Sequence, residues 1–331
     1  MSNNSVNNKR IVNLPHRTSV AKVRDERIDC VKFWLVVMVI AVHVFKRPEF
    51  SDSKVCTIIW QWCYIFAMPL FIFISGYFSR KKDKKDFWPS IWRLFEPLII
   101  FHIIGLLFYT DSISIKTILS PWWVLWYLLS LIYWRLLLQY IPNKILKHMK
   151  LILISTFCIS ILAGFLPFNR VLSLQRTLAL MPFFFIGYYM RDRNIFLPNK
   201  YKPFCILFLM ATFVIPIFIP QYLGDLPHAN PYTNASIAVE RMFVFCLAVP
   251  MSIAFINVCY NTSLIAKHGR LSMQYYIYHA LIIPPLMMVI NKLDMTMSFV
   301  TAIIITIGIT FGISVVLSIP HVKTLTNPSS L

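Results

Sequence analysis

The sequence predicts an all-α polytopic membrane protein, a bundle of about ten transmembrane helices with both termini in the cytoplasm. Two observations predict this class. The chain of 331 residues is 58% hydrophobic and only 14% charged, whereas soluble domains carry roughly 25% charged residues. Its lysines and arginines are also shared very unevenly between alternate loops. The composition therefore excludes an ordinary soluble domain before any motif is considered.

Ten apolar segments have the length of a membrane-spanning helix or nearly so. They are residues 30–46, 56–78, 89–109, 122–141, 151–167, 172–190, 203–220, 238–258, 271–290 and 299–319. Residues 1–27 are basic and polar and contain no apolar stretch of signal-peptide type, which is typical of a disordered cytoplasmic tail. We therefore expect a transmembrane domain over 28–320 and a short cytoplasmic tail over 321–331.

The orientation follows from the positions of the basic residues. With the N-terminus inside, the inner segments hold 21 Lys and Arg residues and the outer loops hold 6. Cytoplasmic loops carry the basic excess in membrane proteins, so this bias predicts that both termini are cytoplasmic. Topology then explains the net charge of +19, and no nucleic-acid partner is expected. Seven cysteines without CxxC spacing indicate buried small side chains rather than disulfides or a metal site.

Three ionisable residues lie on the apolar first helix, where they form one stripe. Lys32 and His43 fall within roughly 20° of each other on a helical wheel, and Asp29 lies roughly 40° to the other side of His43. The stripe runs about 16 Å from Lys32 to His43. Charges inside a membrane are costly, so we expect the stripe to face a cavity or a neighbouring helix. An imidazole with a pKa near 6.5 can act as a general base at neutral pH.

Further polar groups lie in or near the other spans. His279 is near the middle of the ninth span and shares a helical face with Tyr275. Such a histidine serves either in packing or in chemistry, and the spacing alone leaves both open. In the second span, Gly76 permits a close helix approach. The basic cluster 80–85 that follows attracts phosphates or is simply a positive-inside loop.

Five phrases of the sequence, in order along the chain, resemble the integral-membrane acyltransferase family 3, and more narrowly its fucose-4-O-acetylase-like branch. The first is the spacing of eleven residues from Lys32 to His43. The second is MPLFIFISGYF at 68–78, which is similar to the end of the family's second helix. The others are at 121–137, 176–192 and 269–282, and they are similar to the family's fourth, sixth and ninth helices.

The resemblance implies transfer of an acyl group, usually acetyl, from cytoplasmic acyl-CoA to a hydroxyl of a cell-surface glycan or its lipid-linked precursor. The enzyme would lie in the bacterial inner membrane. His43 would be the catalytic histidine and Lys32 the basic partner of the first-helix motif. We expect His43 to act as general base, with a transient acyl-histidine as the alternative, and Lys32 to hold CoA or to orient the site through Asp29. Acetyl-CoA would be bound by Arg80, Lys81, Lys82 and Arg93, although no clean RxxR motif is present there. We expect acceptor contacts from His279, Tyr275 and Arg176, and no metal.

A transporter or flippase of a lipid-linked sugar is the alternative function. It would also need polar groups inside a ten-helix bundle. Against it, the sequence contains no recognisable inverted repeat and no pair of Gly- or Pro-broken helices in corresponding halves. The acceptor sugar and the oligomeric state are not specified by the sequence.

Overall fold

The computed structural model describes residues 25–50, 53–168, 170–218, 231–293 and 298–319. Within these residues the chain is helical and contains no strand. The helices are α1 (Glu26–Phe45), α2 (Lys54–Phe78), α3 (Lys84–Tyr109), α4 (Ile115–Leu119), α5 (Trp126–Tyr140), α6 (Asn143–Leu146), α7 (Met149–Leu162), α8 (Leu174–Tyr189), α9 (Lys202–Thr212), α10 (Ile215–Phe218), α11 (Ser236–Val258), α12 (Ser263–Gly269), α13 (Ser272–Lys292) and α14 (Phe299–Val316). Short 3-10 turns lie at Pro48–Phe50, Trp123–Leu125, Ala163–Phe165, Val171–Ser173 and Asn199–Tyr201.

The predicted all-α membrane architecture is confirmed. All ten predicted segments are helical over most of their length, and eight helical stretches of the described chain are long and apolar enough to cross a membrane. The other two are shorter: the fourth contains the 15-residue α5, and the fifth is the apolar stretch Met149–Phe165. The seventh is divided into α9 and α10. The number of crossings therefore stays a prediction.

The first helix begins slightly earlier than the predicted domain boundary at residue 28. Asp25 caps α1, because its carboxylate accepts a hydrogen bond from the Arg27 backbone N–H at 3.0 Å. A capped N-terminus of this kind extends the helix to Glu26. Most of the predicted N-terminal tail, the C-terminal tail 321–331 and residues 219–230, which end the predicted seventh span and begin the outer loop after it, lie outside the described residues.

Helix α1 lies in the interior of the bundle. It contacts α2, α12, α13 and α14, and its Leu35 and Ile40 side chains are fully buried. The apolar windows of Asn199–Phe218 and of α14 are only 22% buried, and Phe311 of α14 is 70% exposed. These two stretches therefore form the periphery, with apolar surface that suits lipid.

Helices α1 and α2 form an antiparallel pair joined by residues 46–53, so the end of α2 is level with the start of α1. The ammonium of Lys32 accordingly lies 6.0 Å from the ring centroid of Phe78. We call the end of the bundle that contains residues 26–32 and 78–82 the Lys32 end. The opposite end, which contains residues 43–47, is the His43 end.

Helix α2 crosses α8 with the two backbones in direct contact. A Cβ built on Gly76 would lie 1.9 Å from the Phe184 carbonyl oxygen, and one on Gly187 would lie 2.0 Å from the Phe73 carbonyl oxygen. Real Cβ atoms do not approach that closely, so both positions require glycine. The predicted role of Gly76 in close helix approach is confirmed.

Candidate functional site

A cavity of about 780 Å³ lies at the His43 end of the bundle. We call it the His43 cavity. Its walls come from the end of α1, from α2, from residues 116–126 and from the start of α8. Five cationic side chains line it, and no Asp or Glu is among the described lining residues. The cations are Lys46, Arg47, Lys116, Arg170 and Arg176.

His43 lies on the cavity wall in a cluster of aromatic rings. Its imidazole stacks on that of His279, with ring centroids 5.3 Å apart and an interplanar angle of 26°. The Trp123 ring meets it edge-on at 4.8 Å. Trp123 has a φ of 41°, a strained backbone conformation for a bulky residue. The chain thus accepts strain at the point where it positions a ring against His43.

His279 is fully buried behind His43. Its Nδ1 lies 3.2 Å from the Tyr275 carbonyl oxygen. A carbonyl can only accept, so in this hydrogen bond Nδ1 carries the hydrogen and Nε2 carries the lone pair. Nε2 is buried and has no hydrogen-bond partner within the described chain. The site therefore holds a stacked pair of imidazoles, one of which has an unprotonated nitrogen in an apolar setting.

His102 has a structural role beside the cavity. Its Nδ1 accepts from the Trp122 backbone N–H at 3.1 Å, so its Nε2 carries the hydrogen and donates to the Ile118 carbonyl oxygen at 2.9 Å. These two bonds attach the segment 115–122 to α3. The segment contributes Trp122 and Lys116 to the cavity lining.

The structure places Lys32 and Asp29 in an ionic network at the Lys32 end. The Lys32 ammonium is 2.7 Å from Asp29 Oδ1, and Arg270 Nε is 3.6 Å from Asp29 Oδ2. Arg270 also pairs with Glu26 at 2.7 Å. Neither Lys32 nor Asp29 lines the His43 cavity. The predicted stripe therefore begins in an ion-pair network and ends in a cavity about 16 Å away.

A second cavity, also of about 780 Å³, lies at the Lys32 end, and we call it the Lys82 cavity. Lys81, Lys82 and Arg93 line it together with Asp83 and Asp86. Three of the four predicted donor-binding residues are thus brought together. The fourth, Arg80, is outside this lining and pairs with Asp192 at 2.9 Å.

Lys82 is held at this cavity through its backbone. Its N–H donates to Gln139 Oε1 at 3.1 Å, and its carbonyl oxygen accepts from Gln139 Nε2 at 2.7 Å. Partial burial lowers the pKa of the Lys82 ammonium, and the charges of Arg135 and Arg93 lower that pKa further. Lys82 therefore gives up its proton more readily than an ordinary lysine.

The predicted acceptor residues occupy three different environments. Arg176 lines the His43 cavity, with its guanidinium carbon 5.1 Å from the Trp126 ring centroid. His279 is the stacking partner of His43. The Tyr275 hydroxyl instead lies 2.8 Å from His268 Nδ1 and does not line the cavity. Its neighbour Tyr276 does, and its ring centroid is 5.6 Å from that of His279.

A series of hydroxyl-bearing side chains leads away from the cavity floor. The Tyr276 ring contacts that of Tyr127 at 5.4 Å. The Tyr127 hydroxyl lies 2.5 Å from Ser75 Oγ, and either atom can donate. Ser75 is one turn from the end of α2. The series therefore runs from the His43 cavity toward the Lys32 end.

A sequence model described as an acyltransferase domain matches residues 25–319, nearly the whole chain. The chain belongs to acyltransferase family 3. No curated protein and no solved structure matches it. The resemblance inferred from the sequence motifs is therefore confirmed at the level of the family, and this family 3 protein is a membrane acyltransferase. Its place in the fucose-4-O-acetylase-like branch stays a prediction.

Sequence reasoning missed several residues that line the His43 cavity of this acyltransferase. Tyr276 and Trp123 could not be distinguished from packing and interfacial aromatics. A signal existed for the cations. Of the six basic residues in the predicted outer loops, all but Lys54 and Lys292 line the cavity. Basic residues in the predicted outer loops, which are exceptions to the positive-inside bias, were therefore a signal that could have pointed to the cavity wall.

Proposed function

We propose that this acyltransferase moves an acetyl group from cytoplasmic acetyl-CoA to a hydroxyl of a cell-surface glycan or its lipid-linked precursor, with His43 as general base. The observation that carries the proposal is that His43, stacked on the buried His279, lines a cavity at one end of the bundle, while a basic cavity lies at the other end. In the orientation that the charge bias predicts, the Lys82 cavity faces the cytoplasm of a bacterial cell.

In this proposal the donor binds at the Lys32 end. Lys81, Lys82 and Arg93 attract the phosphates of the CoA nucleotide. The uncharged pantetheine arm extends past the hydroxyls of Ser75 and Tyr127, whose oxygens can accept hydrogen bonds from its amide N–H groups. The thioester then approaches His43. The Lys32 and Asp29 pair lies beside the entry of this path and orients the donor.

The chemistry requires one proton to be moved twice. His43 takes the proton of the acceptor hydroxyl as its oxygen attacks the thioester carbonyl carbon. The cationic lining of the cavity stabilises the negative charge on the carbonyl oxygen. The carbon–sulfur bond then breaks, and the protonated His43 returns the proton to the thiolate. Stacking on His279 holds the His43 ring during both transfers.

The test is transfer of labelled acetyl from acetyl-CoA by the full chain in membranes that supply the glycan. We expect His43→Ala to reduce transfer by about 10²- to 10⁴-fold, the usual contribution of a general base. His148→Ala is the matched control, since His148 is exposed at the start of α7. Normal acetylation by His43→Ala at normal expression would remove His43 from this role.

Two further measurements complete the test. Lys32→Ala is expected to change the dependence on acetyl-CoA concentration, and an unchanged dependence would argue against a donor role for Lys32. Mass spectrometry of the surface polysaccharide from cells with and without the chain identifies the acetylated hydroxyl. A transporter of lipid-linked sugars would leave no acetyl ester in either experiment.

A further inference from the structure

We infer that the His43 cavity contains an anion subsite at the start of α8, formed by Arg170, Ser173 and Arg176, which binds a phosphate or carboxylate group of the acceptor. The inference rests on the proposed function, because it names the chemical class of that acceptor. It predicts that the glycan is acetylated while it carries an anionic group.

The first observation is that the N-terminal end of a long helix lies at the cavity wall. Helix α8 has 16 residues and follows a 3-10 turn that ends at Ser173. The first N–H groups of a helix have no intrahelical acceptor, and the helix dipole places partial positive charge there. Ser173 is the N-cap residue, yet its side chain makes no capping hydrogen bond. Its hydroxyl is thus not used to neutralise this end.

The second observation is the Ser173 hydroxyl itself. The residue is only 2% exposed, lines the cavity and has a φ of 56°. Its Oγ has no hydrogen-bond partner within the described residues. Buried hydroxyls are normally paired, and strained residues cluster at ligand sites. A hydroxyl fixed in this way can donate to an anionic oxygen.

The third observation is the charge around Ser173. Arg170 and Arg176 flank it and line the same cavity. In the described part of the chain, the ion pairs of the acidic side chains are with other basic residues, such as Lys32 and Arg270, and not with Arg170 or Arg176. Arg47, across the cavity, has a buried Nε with no partner among described residues. Guanidinium groups bind phosphate and carboxylate by paired hydrogen bonds.

An anionic oxygen is the shared chemistry of two possible sources. One is the phosphate of a lipid carrier that bears the glycan, and the other is the carboxylate of an acidic sugar. Inorganic pyrophosphate represents the first source, and glucuronate represents the second. Trp122, Trp123 and Trp126 line the cavity, and Arg176 lies against Trp126, so intrinsic fluorescence reports on binding.

The experiment titrates the purified full chain in lipid nanodiscs with each probe. We expect saturable quenching by at least one probe, weakened tenfold or more by the double change Arg170→Gln and Arg176→Gln. Ser173→Ala should weaken it about threefold, and Arg176→Lys, which keeps the charge but loses the paired hydrogen bonds, should weaken it less than the double change does. The control is Lys54→Gln with Lys292→Gln, which removes two exposed charges of the predicted outer loops outside the cavity.

The outcomes separate the inference from the proposed function. Quenching by neither probe, or equal quenching of the wild-type chain and the double-arginine variant when both melt at the same temperature, would overturn the subsite. Competition by adenosine 3′,5′-bisphosphate at these arginines would assign them to the donor and overturn the acceptor assignment. Arginine-dependent binding supports the subsite even if no acetyl is transferred, an outcome that would contradict only the proposed function.

Discussion

The two cavities have the same volume, about 780 Å³ each, but they differ in their acidic and aromatic lining residues. The His43 cavity has aromatic walls and five cations without a described carboxylate. The Lys82 cavity places Lys81, Lys82 and Arg93 beside Asp83 and Asp86. Mixed charge at an exposed surface gives weak, salt-sensitive attraction. Cations beside buried rings, with no Asp or Glu among the described lining residues, give stronger and more directional attraction.

This difference suits the two tasks that the proposed function assigns to the ends of the bundle. In that proposal the donor must bind and leave in every cycle, and the mixed charge of the Lys82 cavity suits a site of modest affinity. A reacting centre needs fixed groups in surroundings of low dielectric, which the His43 and His279 pair supplies. Helix α2 connects the two, because it lines the His43 cavity with Tyr64 and ends beside the Lys82 cavity.

The largest expected effect is a loss of stability on changing Gly76, where α2, the helix that reaches both cavities, crosses α8. Gly76→Ala places a Cβ 1.9 Å from the Phe184 carbonyl oxygen, so α2 and α8 must separate. We expect a loss of several kcal/mol of stability, in the range of severe overpacking, measured as a lowered melting temperature of the chain in nanodiscs. Acetyl transfer and donor binding should fall together.

Gly308→Ala is the control for this change. A Cβ at Gly308 of α14 meets nothing within 4 Å, so this substitution should leave the melting temperature unchanged or raise it slightly through better helix propensity. Equal melting of both variants would contradict the close backbone contact of α2 with α8 at Gly76.

The next largest effect is expected on kcat, and it distinguishes the His43 end of the bundle from the Lys32 end. It compares changes at His279 and Tyr275, which lie four positions apart on α13. His279→Ala removes the ring that stacks on His43, and we expect kcat to fall by about 10²-fold with little change in the KM for acetyl-CoA. Tyr275→Phe removes a hydroxyl that bonds His268 outside the cavity, so kcat should change less than threefold. Equal losses in the two variants would contradict this division.

Most of the fold could be predicted from the sequence, because spanning helices need long apolar runs that hydropathy detects directly. The site could be predicted only in part. Tyr275 and Tyr276 are both almost completely buried, at 0% and 2% exposure. A helix that is buried on several sides has no polar face to show which tyrosine points to the cavity.

The contact between His43 and His279 also could not be predicted from the sequence. The two residues are 236 positions apart, and their contact depends on how α13 packs against α1. Spacing along one helix could relate Lys32 to His43, since a single element sets that geometry. It could not show that Arg270 joins Lys32 and Asp29 at the Lys32 end.

A smaller effect is expected at the Lys82 cavity. Lys82→Ala and Arg93→Ala should each raise the KM for acetyl-CoA by up to about fivefold, since an exposed charge contact contributes up to about 1 kcal/mol, and leave kcat nearly unchanged. Arg80→Ala serves as the comparison, because Arg80 pairs with Asp192 instead. A larger KM effect at Arg80 than at Lys82 and Arg93 would place the donor phosphates at Arg80, outside the Lys82 cavity.

The smallest expected effect is a pH dependence of donor binding. Burial lowers the pKa of Lys82, and the neighbouring Arg135 and Arg93 lower that pKa further. Its positive charge is present below this pKa and is lost as pH rises through it, below the value near 10.4 of an ordinary lysine. The KM for acetyl-CoA should therefore rise at alkaline pH. Lys82→Arg, which stays charged, should flatten that rise, and an identical pH profile in Lys82→Arg would show that the Lys82 ammonium does not contact the donor.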